Sequence, residues 1–78
     1  MIIKTETSEY KFKEERNIFI LEKTKILDGK KSEIPVGKKF YGNKMKIKDG
    51  QLLLISDLPN QDPVTVAKTS SIVEIIGA

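Results

Sequence analysis

Apolar and polar residues alternate in the segment from residue 8 to residue 13. In an extended chain Tyr10 and Phe12 share one side, and Glu9, Lys11 and Lys13 share the other. A period of two residues is typical of a strand that buries one face and exposes the other. The segment therefore predicts a half-buried β-strand.

A shorter strand is predicted before this segment and a covered strand after it. Two isoleucines at residues 2–3 begin the first strand, and the Thr-Ser pair at residues 7–8 interrupts it. The polar run 13–17 predicts a hairpin turn. The block 18–21 is apolar on both faces, which favours a central or covered strand that continues through residues 24–27 to a turn at Asp28-Gly29.

The pattern is weaker between residues 30 and 41 and becomes regular again after them. Pro35 lacks a backbone donor and Gly37 tolerates positive φ, so residues 34–37 are interpreted as a connection or an edge strand. Residues 44–48 alternate between lysine and apolar side chains, and Asp49-Gly50 is a turn signal before the β-rich residues 51–56. We expect a β-hairpin over residues 44–56.

The remaining chain predicts a loop and two strands. Residues 57–63 contain two prolines, and strands are expected at residues 64–68 and 71–76, separated by Thr69-Ser70. The predicted fold class is all-β: one domain over residues 1–78, a small barrel or sandwich of about six antiparallel strands, SH3-like or similar. A barrel is favoured because closure removes exposed strand edges.

The small size of the chain makes association with another chain an expected source of stability. A chain of 78 residues buries only about 60% of the surface that it exposes when unfolded. It contains no cysteine and no histidine, so disulfides and the commonest zinc ligands are excluded. We expect a homo-oligomer.

The composition offers few means of catalysis. Without histidine or cysteine, the usual nucleophile and base pairs are missing. Gly37-Lys38-Lys39 lacks the spacing of a phosphate-binding loop, so no cofactor is expected. No apolar run reaches about 18 residues, so no membrane span is expected and a cytoplasmic location is the default. We expect a protein that is not an enzyme.

The uneven distribution of charge is the main functional signal of the sequence. Seven lysines but only one acidic residue, Glu33, lie between residues 30 and 48, whereas the whole chain has a net charge of +3. Alternation places Lys44, Lys46 and Lys48 on one strand face, with Met45 and Ile47 facing the core. The candidate polyanion site combines this stripe with its neighbours and consists of Lys38, Lys39, Tyr41, Lys44, Lys46 and Lys48.

Two interpretations of this stripe remain open. Several lysines beside an exposed aromatic ring can neutralise phosphates and stack on a base. The single arginine, Arg16, lies outside the stripe, which argues against sequence-specific recognition. Alternatively, the lysines solubilise the outer face of an edge hairpin and block unwanted strand pairing.

The two ends of the chain resemble short proteins of bacteriophages and prophages. Residues 5–12 read TETSEYKF and residues 68–75 read KTSSIVEI. They are similar to the Thr/Ser-x-Tyr-x-Phe start and the Thr-Ser-x-x-Val-x-x-Ile end of those proteins. The resemblance covers about a quarter of the chain. It implies an origin in a mobile element and assigns no functional residue.

Three functions are compatible with these observations. The first is a non-enzymatic interaction or accessory protein that binds a partner protein or associates with itself. The second is a nucleic-acid-binding barrel that uses the lysine stripe without sequence preference. The third is an oligomer that binds a small anionic nucleotide.

Overall fold

The structure is a computed structural model that describes residues 1–27, 29 and 34–77. These residues form seven β-strands, all paired antiparallel. The strands are β1 (Ile2–Thr5), β2 (Ser8–Glu15), β3 (Ile18–Ile26), β4 (Lys39–Gly42), β5 (Lys44–Lys48), β6 (Gln51–Ser56) and β7 (Val64–Ile76). The all-β prediction is confirmed, whereas the expected number of about six strands is one too low.

The structure differs from the predicted strands at two places in the second half of the chain. A strand, β4, occupies residues 39–42, just after the segment interpreted as a connection or edge strand. The last two predicted strands are one continuous strand of 13 residues, β7. The predicted turn at Asp28-Gly29 and the lysines Lys30 and Lys31 lie at least partly outside the described residues.

The first hairpin turn occupies only Arg16 and Asn17 of the predicted run 13–17, because β2 extends to Glu15. Both this turn and the turn at Asp49-Gly50 adopt left-handed backbone conformations. Arg16 and Asn17 have φ values of 49° and 66°, and Asp49 and Gly50 have values of 53° and 76°. Two consecutive residues with positive φ are the mark of a type I′ turn, whose twist matches that of the strands it joins. These turns fix the register of the β2–β3 and β5–β6 hairpins.

The long strand β7 connects the two halves of the sheet, whose strand order is β4-β3-β2-β1-β7-β6-β5. Its first half pairs with β6, from Val64 opposite Ser56 to Ser71 opposite Gln51. Its second half pairs with β1, where Ile76 lies opposite Ile2. β7 therefore joins the β5–β6 hairpin to strands β1 to β4 in one continuous sheet.

The sheet curls into a half-barrel, and its two end strands meet at one residue. Asn43 is the single residue between β4 and β5, which stand at opposite ends of the strand order. Its N–H donates to the Ile55 carbonyl at 3.0 Å. Its side-chain amide donates to the Asp57 carbonyl at 2.6 Å, and its side-chain oxygen accepts from the Asp57 N–H at 2.7 Å. Asn43 thus ties the start of β5 to the end of β6.

The buried apolar residues come from both halves of the curled sheet and form one cluster. The first half contributes side chains from β1, β2 and β3, and the second half contributes side chains from β6 and β7. The Phe12 and Phe19 rings stack at a centroid distance of 5.4 Å. The cluster consists of Ile3, Tyr10, Phe12, Leu21, Leu52, Leu54 and Ala67.

The prediction that Met45 and Ile47 face the core is confirmed for their orientation, but the two side chains are not buried. Their register places them beside Leu54 and Leu52, on the core side of β5. They nevertheless remain 38% and 55% exposed. The half-barrel is open along β5, so that strand lines the rim of the core instead of its interior.

Hydroxyl groups from the two ends of the chain meet inside the sheet. The Thr7 hydroxyl lies 3.0 Å from the Ser70 hydroxyl, and the Thr5 hydroxyl donates to the Ser8 carbonyl at 3.1 Å. The Thr69 hydroxyl accepts from the Leu52 N–H at 3.1 Å. These bonds explain why threonine and serine interrupt the apolar pattern without ending β7.

Candidate functional site

The first part of the predicted polyanion site lies on the outer face of β2, β3 and β4. Tyr41 pairs with Ile20 and Lys39 pairs with Glu22, on the face opposite to Phe40. Together with Lys11, Lys13 and Glu15, these residues line a shallow cleft of about 310 Å³. Lysines and glutamates alternate across this cleft, so its charge is mixed.

Lys38 does not belong to that cleft. Its ammonium lies over the Phe40 ring, 5.8 Å from the ring centroid. Phe40 packs against the core cluster, on the side of β4 opposite to Lys39 and Tyr41. The Lys38 carbonyl accepts from the Lys23 N–H at 3.1 Å. This backbone bond holds the residue that precedes β4 against β3.

The second part of the predicted site lies on the outer face of β5, β6 and β7. Lys46 pairs with Leu53, and Leu53 pairs in turn with Lys68 on β7. Lys48 pairs with Gln51 at the hairpin end. A cleft of about 370 Å³ runs over this face and is lined by Lys48, Asp49, Gln51, Leu53, Thr65 and Lys68.

Lys44 differs from the other lysines of β5 because it has an acidic partner. Its ammonium forms an ion pair with the Asp57 carboxylate, which follows β6. The same Asp57 is held by both polar atoms of the Asn43 side chain. Lys44 therefore reinforces the junction of the two end strands, and its charge is already compensated.

The predicted site is thus divided between two surfaces, and three lysines on these surfaces, Lys11, Lys13 and Lys68, were not among its predicted members. Lys39 and Tyr41 lie with Lys11 and Lys13, whereas Lys46 and Lys48 lie with Lys68. Lys68 belongs to a segment without a positive excess, so local charge does not single it out. Only the register of β6 and β7 brings it beside the β5 lysines.

A small apolar notch lies where the two ends of the sheet meet. It is lined by three exposed apolar side chains, those of Ile18, Tyr41 and Leu58. Gly42 and Asn43 also line it, at the point where they lie against the end of β6. The notch measures about 150 Å³. It is too small for a drug-sized ligand, since typical ligand pockets measure about 300–1,000 Å³.

Two titratable side chains are buried together under the sheet. The Lys23 ammonium lies 5.9 Å from the centroid of the Tyr10 ring. Burial lowers the pKa of Lys23, because it penalises the charged ammonium. Burial also raises the pKa of Tyr10, an effect partly offset by a hydrogen bond with the Ser8 side chain.

Comparisons with known proteins identify no relative of this chain. No protein family, curated protein or solved structure matches it. Among the described residues, no group of three or more carboxylate, thiol or imidazole side chains is placed to hold a metal ion. The same residues include no helix of the length and apolarity that crossing a membrane requires.

Proposed function

We propose that this protein is a non-enzymatic interaction module that associates with a second copy of itself along the C-terminal half of β7. The observation that carries the proposal is an apolar strand edge left without a partner. Residues 72 and 74–76 pair with β1 on one side, with Val73 at a break in the register, while β6 pairs only with residues 64–71 on the other. Within the described ranges, no strand covers that second edge of residues 73–76.

The side chains along this edge are suited to burial. Val73, Ile75 and Ile76 are all exposed, and Val73 is 63% accessible. An uncovered apolar edge presents unpaired N–H and C=O groups, which pair readily with another strand. Soluble proteins usually protect such an edge with charge, and the only charged residue on this stretch is Glu74.

A second copy fits this edge because the strand is complementary to itself. In an antiparallel arrangement about a two-fold axis, residues 73–76 of one copy pair with residues 76–73 of the other. Glu74 forms an ion pair with Lys4 of its own chain at 3.6 Å. Bringing two edges together therefore juxtaposes no uncompensated like charges.

An accessory role agrees with the rest of the sequence. Catalytic histidine and cysteine are absent from the chain. The resemblance to short phage and prophage proteins fits a small binding protein of a mobile element. The predicted SH3-like barrel belongs to the same proposal, since SH3 domains act by binding other chains.

The test compares two valine substitutions on the same strand. Val73→Lys places a charge on the uncovered edge, whereas Val64→Lys places one at the other end of β7, at a valine that is 56% exposed. We expect light scattering at micromolar concentration to give about twice the chain mass of 8.8 kDa for the native protein and for Val64→Lys. Val73→Lys is expected to be monomeric, with an unchanged β-type circular dichroism spectrum.

A monomeric native protein at this concentration would overturn the proposal. A dimer that persists in Val73→Lys while dissociating in Val64→Lys would place the contact on the other half of β7, and the proposed edge would be wrong.

A further inference from the structure

The outer face of β5, β6 and β7 carries three lysines without an acidic partner among the described ion pairs: Lys46, Lys48 and Lys68. We call these three residues the lysine face. Lys46 and Lys68 are separated by one strand, which corresponds to roughly 10 Å between their Cα atoms, and Lys48 lies roughly 7 Å along β5 from Lys46. Three positive charges thus form a triangle on one side of the sheet.

Neutral hydrogen-bond donors accompany these charges. The cleft of about 370 Å³ beside Lys48 and Lys68 is also lined by the Gln51 amide and the Thr65 hydroxyl. Side chains of these types commonly bind phosphate oxygens. Asp49 at the turn is the one acidic residue that lines the cleft, so the positive charges are in excess.

We propose that the lysine face binds the phosphate backbone of a nucleic-acid duplex without reading its sequence. A duplex carries one negative charge per about 1.7 Å of axis, so a triangle with sides of about 7–12 Å meets phosphates at any register. No aromatic residue lines this cleft, so a stacking platform for single-stranded bases is missing from it. The face also contains no arginine, the usual reader of guanine.

The cleft on β2, β3 and β4 is the weaker alternative and provides the control. Lys11, Lys13 and Lys39 give it three lysines as well. Glu22 pairs with Lys11 on one side and with Lys39 on the other, so a carboxylate stands between two of these lysines. Its positive potential is therefore weaker than that of the lysine face.

The experiment measures binding of the native protein to a random-sequence DNA duplex at several salt concentrations. Two triple variants remove the same charge from different surfaces: Lys46→Gln/Lys48→Gln/Lys68→Gln and Lys11→Gln/Lys13→Gln/Lys39→Gln. The first is expected to weaken binding on the order of 100-fold at about 0.1 M salt, and to make the dependence of log K on log salt shallower by about 2.7. Lys68→Gln alone is expected to reduce that dependence by about 0.9. The second triple variant is expected to bind almost as the native protein does.

Several results would overturn the proposal. The first is an absence of duplex binding by the native protein at about 50 mM salt, where phosphate contacts are strong. Equal losses in both triple variants would show that only net charge matters. Tighter binding of a single strand, or equally tight binding of polyglutamate, would assign the face to another class of partner. None of these results depends on whether the protein dimerises through β7.

Discussion

A lysine side chain lies inside the sheet at position 23, opposite Tyr10 in the register of β2 and β3. Its backbone also holds the chain that leads into β4, because the Lys23 carbonyl accepts from the Gly37 N–H at 2.8 Å. A lysine stem packs well against apolar neighbours, and its ammonium gains from the face of an aromatic ring. The cost of this position is the burial of a charge, which makes stability depend on pH.

Replacing Lys23 by methionine is expected to flatten the alkaline part of the stability profile. Because burial lowers the pKa of Lys23 in the folded protein, the unfolded chain binds more protons between that value and 10.5. The free energy of unfolding therefore rises with pH in this window. Lys23→Met removes that rise, which urea unfolding at a series of pH values between about 8 and about 10.5 measures.

Ionisation of Tyr10 opposes this effect at high pH, and Lys25 provides the control substitution. Burial raises the pKa of Tyr10 above 10.0, so ionisation of the unfolded tyrosine lowers stability in the upper part of the range, in both proteins. Lys25 is exposed on the same strand, and Lys25→Met is expected to keep the native profile. Native and Lys23→Met proteins with parallel profiles would contradict the prediction.

Among the strands, the β5–β6 hairpin shows how burial differs between the core-side residues of two paired strands. Leu52 on β6 is fully buried, whereas its partner across the hairpin, Ile47 on β5, is more than half exposed. Both residues lie on the same side of the sheet. The difference arises because β6 has a neighbour on each side, while β5 is an end strand.

Alanine substitutions of this cross-strand pair are expected to differ in cost. Leu52→Ala removes a side chain from the packed core and is expected to lower the free energy of unfolding by about 2–5 kcal/mol. Ile47→Ala is expected to lower it by about 1 kcal/mol or less, because most of its side chain already contacts water. Denaturant unfolding measures both values. An equal cost at the two positions would mean that Ile47 is covered in solution.

The alternation of residue types was sufficient to predict the hairpins. It was not sufficient to predict which strands pair when they are distant in the sequence. The turn at Asp49-Gly50 and the strands beside it follow from the sequence, because a period of two and an Asp-Gly pair are local signals. The polar run 13–17 indicated the turn between β2 and β3 but not which two residues form it. β4 was missed because its four residues contain a lysine and a glycine, and they depend on pairing with β3. Position 68 could not be assigned to the lysine face because its neighbours are set by the register of β6 and β7.

At the scale of the whole molecule, the curl of the sheet depends on the close approach of β4 to β6. A Cβ atom built on Gly42 would lie 2.6 Å from the Ile55 carbonyl oxygen and 2.9 Å from Leu54 Cγ. The first of these atoms belongs to the backbone and cannot rotate away. Glycine at position 42 therefore allows the end strand β4 to lie directly against β6.

Gly42→Ala is expected to lower the free energy of unfolding by about 1–3 kcal/mol, because β4 and β6 must separate to admit the methyl group. The control is Gly77→Ala, where an added Cβ meets no atom within 4 Å and the change is expected to stay within about 0.5 kcal/mol. Thermal or denaturant unfolding measures both values. A neutral Gly42→Ala substitution would show that β4 and β6 do not approach each other this closely in solution.

The pairing of β7 with both β6 and β1 has a consequence for the order of folding. The β2–β3 and β5–β6 hairpins join neighbouring residues and form within about 1–10 μs. The pairing of Ile2 with Ile76 instead joins opposite ends of the chain, so its loop closure is costly until both hairpins exist. Sheets dominated by such distant pairs fold in milliseconds to seconds. We therefore expect the pairing of β1 with the C-terminal half of β7 to be the slow step of folding, because the first half of β7 follows β6 after only the short segment 57–63 and pairs with it locally.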